Sequence, residues 1–293
     1  MRRLYFVLSL FFCSLTFLPS GFSSLKVTTW NLKWFPGGMN QTDKSAMQEH
    51  IGLVADTLRD LDPDILLVQE VKSQESLDML AEEMGTGLKV IAVSRFPASY
   101  SEDPDGIDDQ QVGILAKMPA VATATREFER DGLVDAPRGF VFAAFETEGE
   151  LLGVYSVHLK SNRGEAAVNF RKRESSARAI VGHAEGVAIG SEDNWRVPDA
   201  LIIGGDFNTE VPGDVEVRAA EKTMQQLALY GFENAYGDLP LEKRITIPAS
   251  GRYPATTFDH ILYRGIEKAG SVRIQEVEWE RSDHYPVTVA FEL

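Results

Sequence analysis

The chain has 293 residues, 44% hydrophobic and 25% charged, which excludes a disordered or fibrous polymer and leaves room for a sizeable core. Its 44 acidic against 29 basic side chains give a formal charge of −15, the wrong sign for a protein that coats nucleic acid by neutralising phosphates. An enzyme that touches a few phosphates locally is still allowed.

Residues 1–23 read as a cleaved secretory signal. Arg2 and Arg3 precede the apolar run Leu4 to Leu18, and Gly21 and Ser23 stand at the spacing of a signal-peptidase site. The run falls short of the roughly 18 to 20 residues that span a bilayer, so no stable membrane insertion is expected after cleavage. The single cysteine, Cys13, leaves with the leader. What remains has no disulfide, thiolate zinc site or cysteine nucleophile, and its chemistry must come from oxygen and imidazole groups. Residues 24–293 are expected to form one secreted or periplasmic domain, a monomer, because no repeat or Pro/Gly/Ser-rich linker divides them.

Leu25, Val27 and Thr29 alternate as a strand into Trp30-Asn31, and Asp43 opens a helix in which Met47, Ile51, Val54 and Leu58 recur at helical spacing. After Asp62-Pro63 comes the doubly apolar strand 64–69, and Ser73 caps a helix carrying Leu77, Leu80 and Met84. Strands are predicted at 111–117, 121–128 and 140–146, the last forming a hairpin with 151–158. A helix over 165–186, a strand at 200–204, a helix over 214–229 and strands at 257–263, 272–279 and 286–292 complete the chain. Hairpins give antiparallel neighbours and helices give crossovers, so this order predicts an α/β protein of two mixed β-sheets packed face to face, with helices on the outer faces. A single doubly wound parallel sheet is the runner-up, and no Gly-rich phosphate loop accompanies it.

Apolar strands repeatedly end in polar residues that a core does not need: Asn31, Glu70, His158 with Lys160 and Asn162, Asp206 with Asn208, Asp259, and Asp283-His284. Strand ends are where a sheet protein assembles a site. Any one of these has a structural explanation as a cap, a turn or a packed imidazole, but their shared placement argues for a site. Carboxylates, amides and imidazoles without cysteine suit phosphoester hydrolysis assisted by a hard cation, Mg²⁺ or Mn²⁺, with Ca²⁺ a further candidate. Glu70 is the first ligand candidate; Asn31 offers a carbonyl oxygen and Asp283 a second carboxylate. A neutral histidine would take a proton from the attacking water. A zinc site of His158, His260 and His284 is the minority reading, because Asp259 and His260 on one strand point to opposite faces. Ser282 has no nucleophile-elbow motif. The acidic run with Asp103, Asp105, Asp108 and Asp109 lacks the terminal glutamate of a calcium loop. Residues 158–178 are locally basic; Lys160 and Arg163, directly after His158, are the phosphate-contact candidates. Arg171 to Arg178 fit a solvated helix face and a phosphate stripe equally.

Taken in order, Thr29-Trp-Asn31, Gln69-Glu70-Val71, Ser156-Val-His158-Leu-Lys-Ser161, Gly205-Asp-Phe-Asn208, Thr257-Phe-Asp259-His260 and Ser282-Asp-His284 resemble the endonuclease/exonuclease/phosphatase superfamily, the deoxyribonuclease I-like fold. The resemblance implies a four-layered α/β/β/α sandwich and divalent-metal phosphoester hydrolysis. It implies metal positions at Glu70 and Asn31, with Asp283 a further ligand, and an acid/base His284 paired with Asp259. Asp206 and Asn208 would orient water or the leaving group and contact phosphate, and His158 would be the second site histidine. The chain departs from the abasic-site repair members in having His158 for a tyrosine and Lys33 for a carboxylate. Gln110-Gln111 stands near where deoxyribonuclease I supplies a glutamate. Export and the basic segment after His158 resemble secreted nucleases most, so a nuclease of DNA, with RNA as the second candidate, is expected. A sphingomyelinase-like or other phosphoesterase, with Trp34-Phe35-Pro36 as its membrane loop, is the alternative. A silent binding module would be expected to lose Glu70, Asp206 or His284, and all are present.

Overall fold

Alternation within the apolar runs decides the architecture. In β1 (Ser24–Phe35) and β2 (Ile65–Val71), Val27, Ile65 and Leu67 pack on one side, Trp30, Leu66 and Val68 on the other, and all are buried. In β7 (Glu150–His158) and β10 (Ala200–Asp206), Leu152, Val154 and Ile202 likewise oppose Leu151, Tyr155 and Ile203. Strands that are apolar on both faces must be covered on both.

The computed structural model covers them with two six-stranded mixed sheets. It describes residues 24–97, 106–128, 136–191, 194–210, 220–237 and 239–293, so the predicted signal, Asp103, Asp105 and the start of the predicted 214–229 helix lie outside the described residues. The first sheet runs β13 (Arg273–Ile274), β14 (Val287–Glu292), β1, β2, β4 (Gln111–Ala116) and β3 (Lys89–Val93). The second runs β11 (Glu233–Asn234), β12 (Asp259–Arg264), β10, β7, β6 (Gly139–Thr147) and β5 (Ala122–Glu127). Each holds one parallel pair, β1 with β2 and β7 with β10, among antiparallel neighbours. A small hairpin, β8 (Ile189–Ser191) with β9 (Asn194–Arg196), stands apart. The predicted sandwich is therefore observed.

Residues of α1 (Lys44–Leu61) and α2 (Gln74–Met84) pack on the outside of the first sheet, and α3 (Ala166–Gly186) with α4 (Thr223–Leu229) on the outside of the second. The cap residues act as their chemistry dictates: Asp43, Ser73 and Glu165 accept N–H groups of the first turns of α1, α2 and α3. Some predicted boundaries shift. The 272–279 strand pairs only over Arg273–Ile274, the 257–263 strand starts at Asp259, and the last helix starts at Thr223. Strand β3 was not predicted: Lys89 is exposed and the next four residues half-buried, so no alternation shows.

Beneath one edge of the sandwich the intersheet core turns polar. Gln69 donates 3.2 Å hydrogen bonds to Thr29 Oγ1 and Ser156 Oγ, and Ser156 donates to the Val68 carbonyl, tying the two sheets together. Gly204 lets them approach there: a Cβ would stand 2.5 Å from Leu67 Cδ1 in the opposite sheet.

Candidate active site

The inward-facing parity of each strand continues past the core, and its next members are the polar residues. Asp206 is the last residue of β10 and is flanked in register by His158 on β7 and Asp259 on β12. Asn31 pairs in register with Gln69 on the first sheet. Glu70, one residue on, would face away in a regular strand. Its left-handed backbone (φ 57°), at a register break between Gln69 and Val71, presents the side chain to the same cleft. Asn208 is left-handed as well (φ 52°), and its N–H caps Asp206 Oδ1 at 2.8 Å.

Glu70, His158, Asp206 and Asn208 line an open cleft of about 740 Å³ together with Asp283 and His284. His284 Nδ1 is 2.8 Å from Asp259 Oδ2, and its Nε2 lies 3.9 Å from Asp206 Oδ2. Burial opposes charge on this imidazole, yet Asp259, Asp206 and Asp283 together raise its pKa to about 10. These three carboxylates favour the imidazolium. Burial, with the charges of Asp259 and Glu70, pushes Asp206 up to about 7 against the pull of His284. Burial also raises Glu70 above its ordinary value. His158 Nε2 lies 3.4 Å from Asp206 and 3.9 Å from Glu70, and burial, then Arg138, holds this imidazole neutral well below its usual range.

The remaining candidates divide. Asn31 donates through Nδ2 to Glu70 (3.3 Å) and Asp206 (3.1 Å), while its Oδ1 accepts the Lys33 N–H. In this arrangement the amide nitrogen of Asn31 bridges the two carboxylates. Lys160 and Arg163 line the cleft, but the Lys160 ammonium is turned back onto Ser161 and the Arg163 carbonyl. Asn162 does not line the cleft; it donates to the Asn208 carbonyl. His260 faces away, bonded to Asn234 and the carbonyls of Thr209 and Thr257, which removes it from any three-histidine zinc site. Ser282 accepts the His284 N–H and donates to the Asn31 carbonyl, so it braces the loop and is no nucleophile. Phe35 of the supposed membrane loop is fully buried, and Trp34 lies in the cleft.

Arg138 was missed. It lines the cleft beside Glu70 and His158 from a left-handed position before β6, with its guanidinium on the carbonyls of His158 and Leu159 and on Gln110. A lone arginine before a strand carries no sequence signal for this. Gln110 is thereby used by Arg138, Gln111 packs on Ser94 and Phe96, and His158 Nδ1 has no partner among the described residues.

Asp206, Asp259 and His284 bring possible ligand atoms within 4.8 Å of one another. Asp259 Oδ2 and His284 Nδ1 are committed to each other, and Asp259 Oδ1 is buried without a partner among the described residues. Glu70 is the carboxylate that lines the cleft itself, with Asp283 near enough for its charge to raise the Glu70 pKa. Crowded, buried, oxygen-bearing carboxylates suit a hard divalent cation.

An imidazole held by a buried carboxylate stands with Asp206, Glu70 and Asp283 at the edge of an α/β/β/α sandwich, an arrangement suited to acid/base work on a phosphoester. The profile described as the Endonuclease/Exonuclease/phosphatase family matches residues 28–284, and the chain belongs to that family. No curated protein matches the chain. Among solved structures it is similar to an endonuclease/exonuclease/phosphatase family protein from Leptotrichia buccalis C-1013-b (17% identity, 92% of this chain and 100% of that one, TM-score 0.63). It is also similar to an endonuclease/exonuclease/phosphatase from Bacteroides vulgatus (16%, 92% and 99%, 0.65). A third is D. rerio TDP2 complexed with a single strand DNA product (15%, 92% and 100%, 0.64).

Proposed function

We propose that the chain is an exported phosphodiesterase that hydrolyses nucleic acid, DNA first and RNA second, with Mg²⁺ or Mn²⁺ at Glu70 and a His284–Asp259 acid/base pair. The observation that carries this reading is the 2.8 Å bond of His284 to Asp259 beside Asp206, Glu70 and His158 in one cleft. Asp259 commits His284 Nδ1, which leaves Nε2 as the proton-exchanging atom: as the imidazolium it gives its proton to the leaving oxygen, and as the neutral imidazole it takes one from the attacking water. Asp206, fixed by the Asn208 N–H and the Asn31 amide, orients the water. Neutral His158 hydrogen-bonds a non-bridging oxygen through Nε2. Glu70, with Asp283 beside it, would hold a divalent cation, which would supply Lewis acidity at the phosphoryl group. The bound DNA product of the D. rerio relative supports a nucleic-acid substrate. No helix among the described residues is long and apolar enough to cross a membrane.

The test is purified protein against plasmid DNA, RNA, sphingomyelin and an inositol phosphate, with Mg²⁺, Mn²⁺, Ca²⁺ or chelator. Cleavage of DNA that chelation abolishes is expected; undiminished cleavage under strong chelation would sink the metal mechanism. Glu70→Gln should weaken Mg²⁺ or Mn²⁺ binding by about tenfold or more, read by isothermal titration. An unchanged affinity would move the metal away from Glu70. Export predicts that the mature extracytoplasmic protein begins near Ser24 by mass spectrometry, and an intact Met1 there would refute it.

A further inference from the structure

We propose that residues 246–256 form an arm that receives the nucleotides next to the scissile bond, with Tyr253 stacking on an unpaired base and Arg163 and Arg252 meeting the neighbouring phosphates. This rests on the nucleic-acid reading and deepens it: the substrate is single-stranded and leaves the cleft on the side of the second sheet.

The arm is a small hairpin, bridged at Ile247 with Thr256 and at Ser250 with Tyr253. Its root is part of the site. Buried Thr246 accepts the N–H groups of Phe258 and Asp259 through Oγ1, and its carbonyl accepts the Tyr285 N–H at 2.7 Å, so one residue braces the segments carrying both members of the His284–Asp259 pair. Its tip is the reverse of a core. Tyr253 is 63% exposed, with the Arg252 guanidinium 5.2 Å from its ring centroid and Arg252 Nη2 donating to its hydroxyl at 3.2 Å. Arg163 is exposed, lines the cleft, and adds its positive charge at the same phenol. An exposed ring with one guanidinium on it and a second within electrostatic reach, on a hairpin rooted at the site, combines the stacking surface and cations that hold unpaired strands without reading sequence.

The Lys33 side of the cleft differs. Trp279 is also exposed, but Lys33 Nζ already covers its ring at 3.3 Å, and Glu276, Glu278 and Glu280 surround it in the chain. Carboxylates there repel a continuing phosphate backbone, whereas the arm attracts it.

The experiment compares steady-state cleavage of a single-stranded oligonucleotide, its duplex and bis(p-nitrophenyl) phosphate in Mg²⁺. Tyr253→Ala should raise KM for the single strand by about tenfold, leave kcat and the small diester unchanged, and be rescued by Tyr253→Phe. Arg163→Gln should lower the slope of log KM against log salt by about 0.7. An unchanged KM in Tyr253→Ala, or a duplex cleaved as well as the single strand, would overturn the arm. If the wild type cleaves the small diester but no oligonucleotide, the hydrolase chemistry stands while the nucleic-acid reading and the arm both fall. If it cleaves nothing, anisotropy of the labelled strand decides the arm alone: Tyr253-dependent binding supports it, and its absence, or Tyr253-dependent binding to sphingomyelin vesicles instead, overturns it.

Discussion

His284→Ala is expected to lower kcat on a phosphodiester by about 10²- to 10⁴-fold, the usual worth of a positioned acid/base group. The size follows from the absence of a substitute: Nε2 is the imidazole atom that faces Asp206 with its other nitrogen fixed, whereas neutral His158 lacks a carboxylate on its Nδ1. Asp259→Asn should reproduce much of the loss, because an amide neither stabilises the imidazolium nor enforces the same tautomer. Removing the imidazole also leaves the fully buried Asp259 carboxylate short of a partner, a stability loss of about 1–3 kcal/mol. His284→Asn, which keeps an N–H for Asp259, separates the two effects. It should regain thermal stability without regaining turnover. The check is kcat alongside a thermal melt for each variant, and a His284→Ala enzyme with more than a tenth of wild-type kcat would remove this residue from the chemistry.

What made the site legible in the sequence was the alternation of side chains along strands. His158 and Asp206 end two neighbouring strands and Asp259 begins the third, all with inward parity, and parity survives to the terminal residue of a regular strand. The same rule separated Asp259 from His260, which points to the opposite face. Parity fails where the backbone is irregular. Glu70 was located by its strand-end position, but its orientation depends on a left-handed residue at a bulge. Arg138 depends on another left-handed residue, and nothing in its neighbours announces a role. The turning of Asn31 was also illegible, because which end of an amide faces a site is set by the hydrogen-bond network around it. For the fold, strands buried on both faces were predictable as continuous apolar runs, while the half-buried β3 was not.

Charge patterning was least informative in the basic segment. Arg171 and Arg178 are exposed, as a solvated face requires, but Arg173 between them is fully buried. Its Nε and Nη2 donate to the two oxygens of Glu221 at 2.6 and 2.8 Å, and its Nη1 donates to the Lys160 carbonyl at 2.8 Å. Arg173 is therefore neither surface nor phosphate ligand. It joins α3 to the chain leading into α4 and to the segment that follows His158.

Arg173→Met should accordingly destabilise the protein by about 3–5 kcal/mol, because it strands the Glu221 charge in a buried site and frees the Lys160 carbonyl. Burial pushes the Glu221 carboxyl up, but the hydrogen bonds and charge of Arg173 outweigh it and hold the group below its ordinary 4.5. A depressed folded-state pKa means that the pair's contribution is fully present above the unfolded value and is lost as pH falls through the folded one. The difference between wild type and Arg173→Met should therefore be widest near neutral pH and shrink in acid, where Glu221 is protonated in both. Replacing both partners, Arg173→Met with Glu221→Met, removes the stranded charge and should recover much of the loss. Urea denaturation of the four proteins of this cycle, at neutral and acidic pH, measures the coupling directly. An Arg173→Met variant no less stable than the double one would show that the stranded Glu221 charge is not what destabilises it.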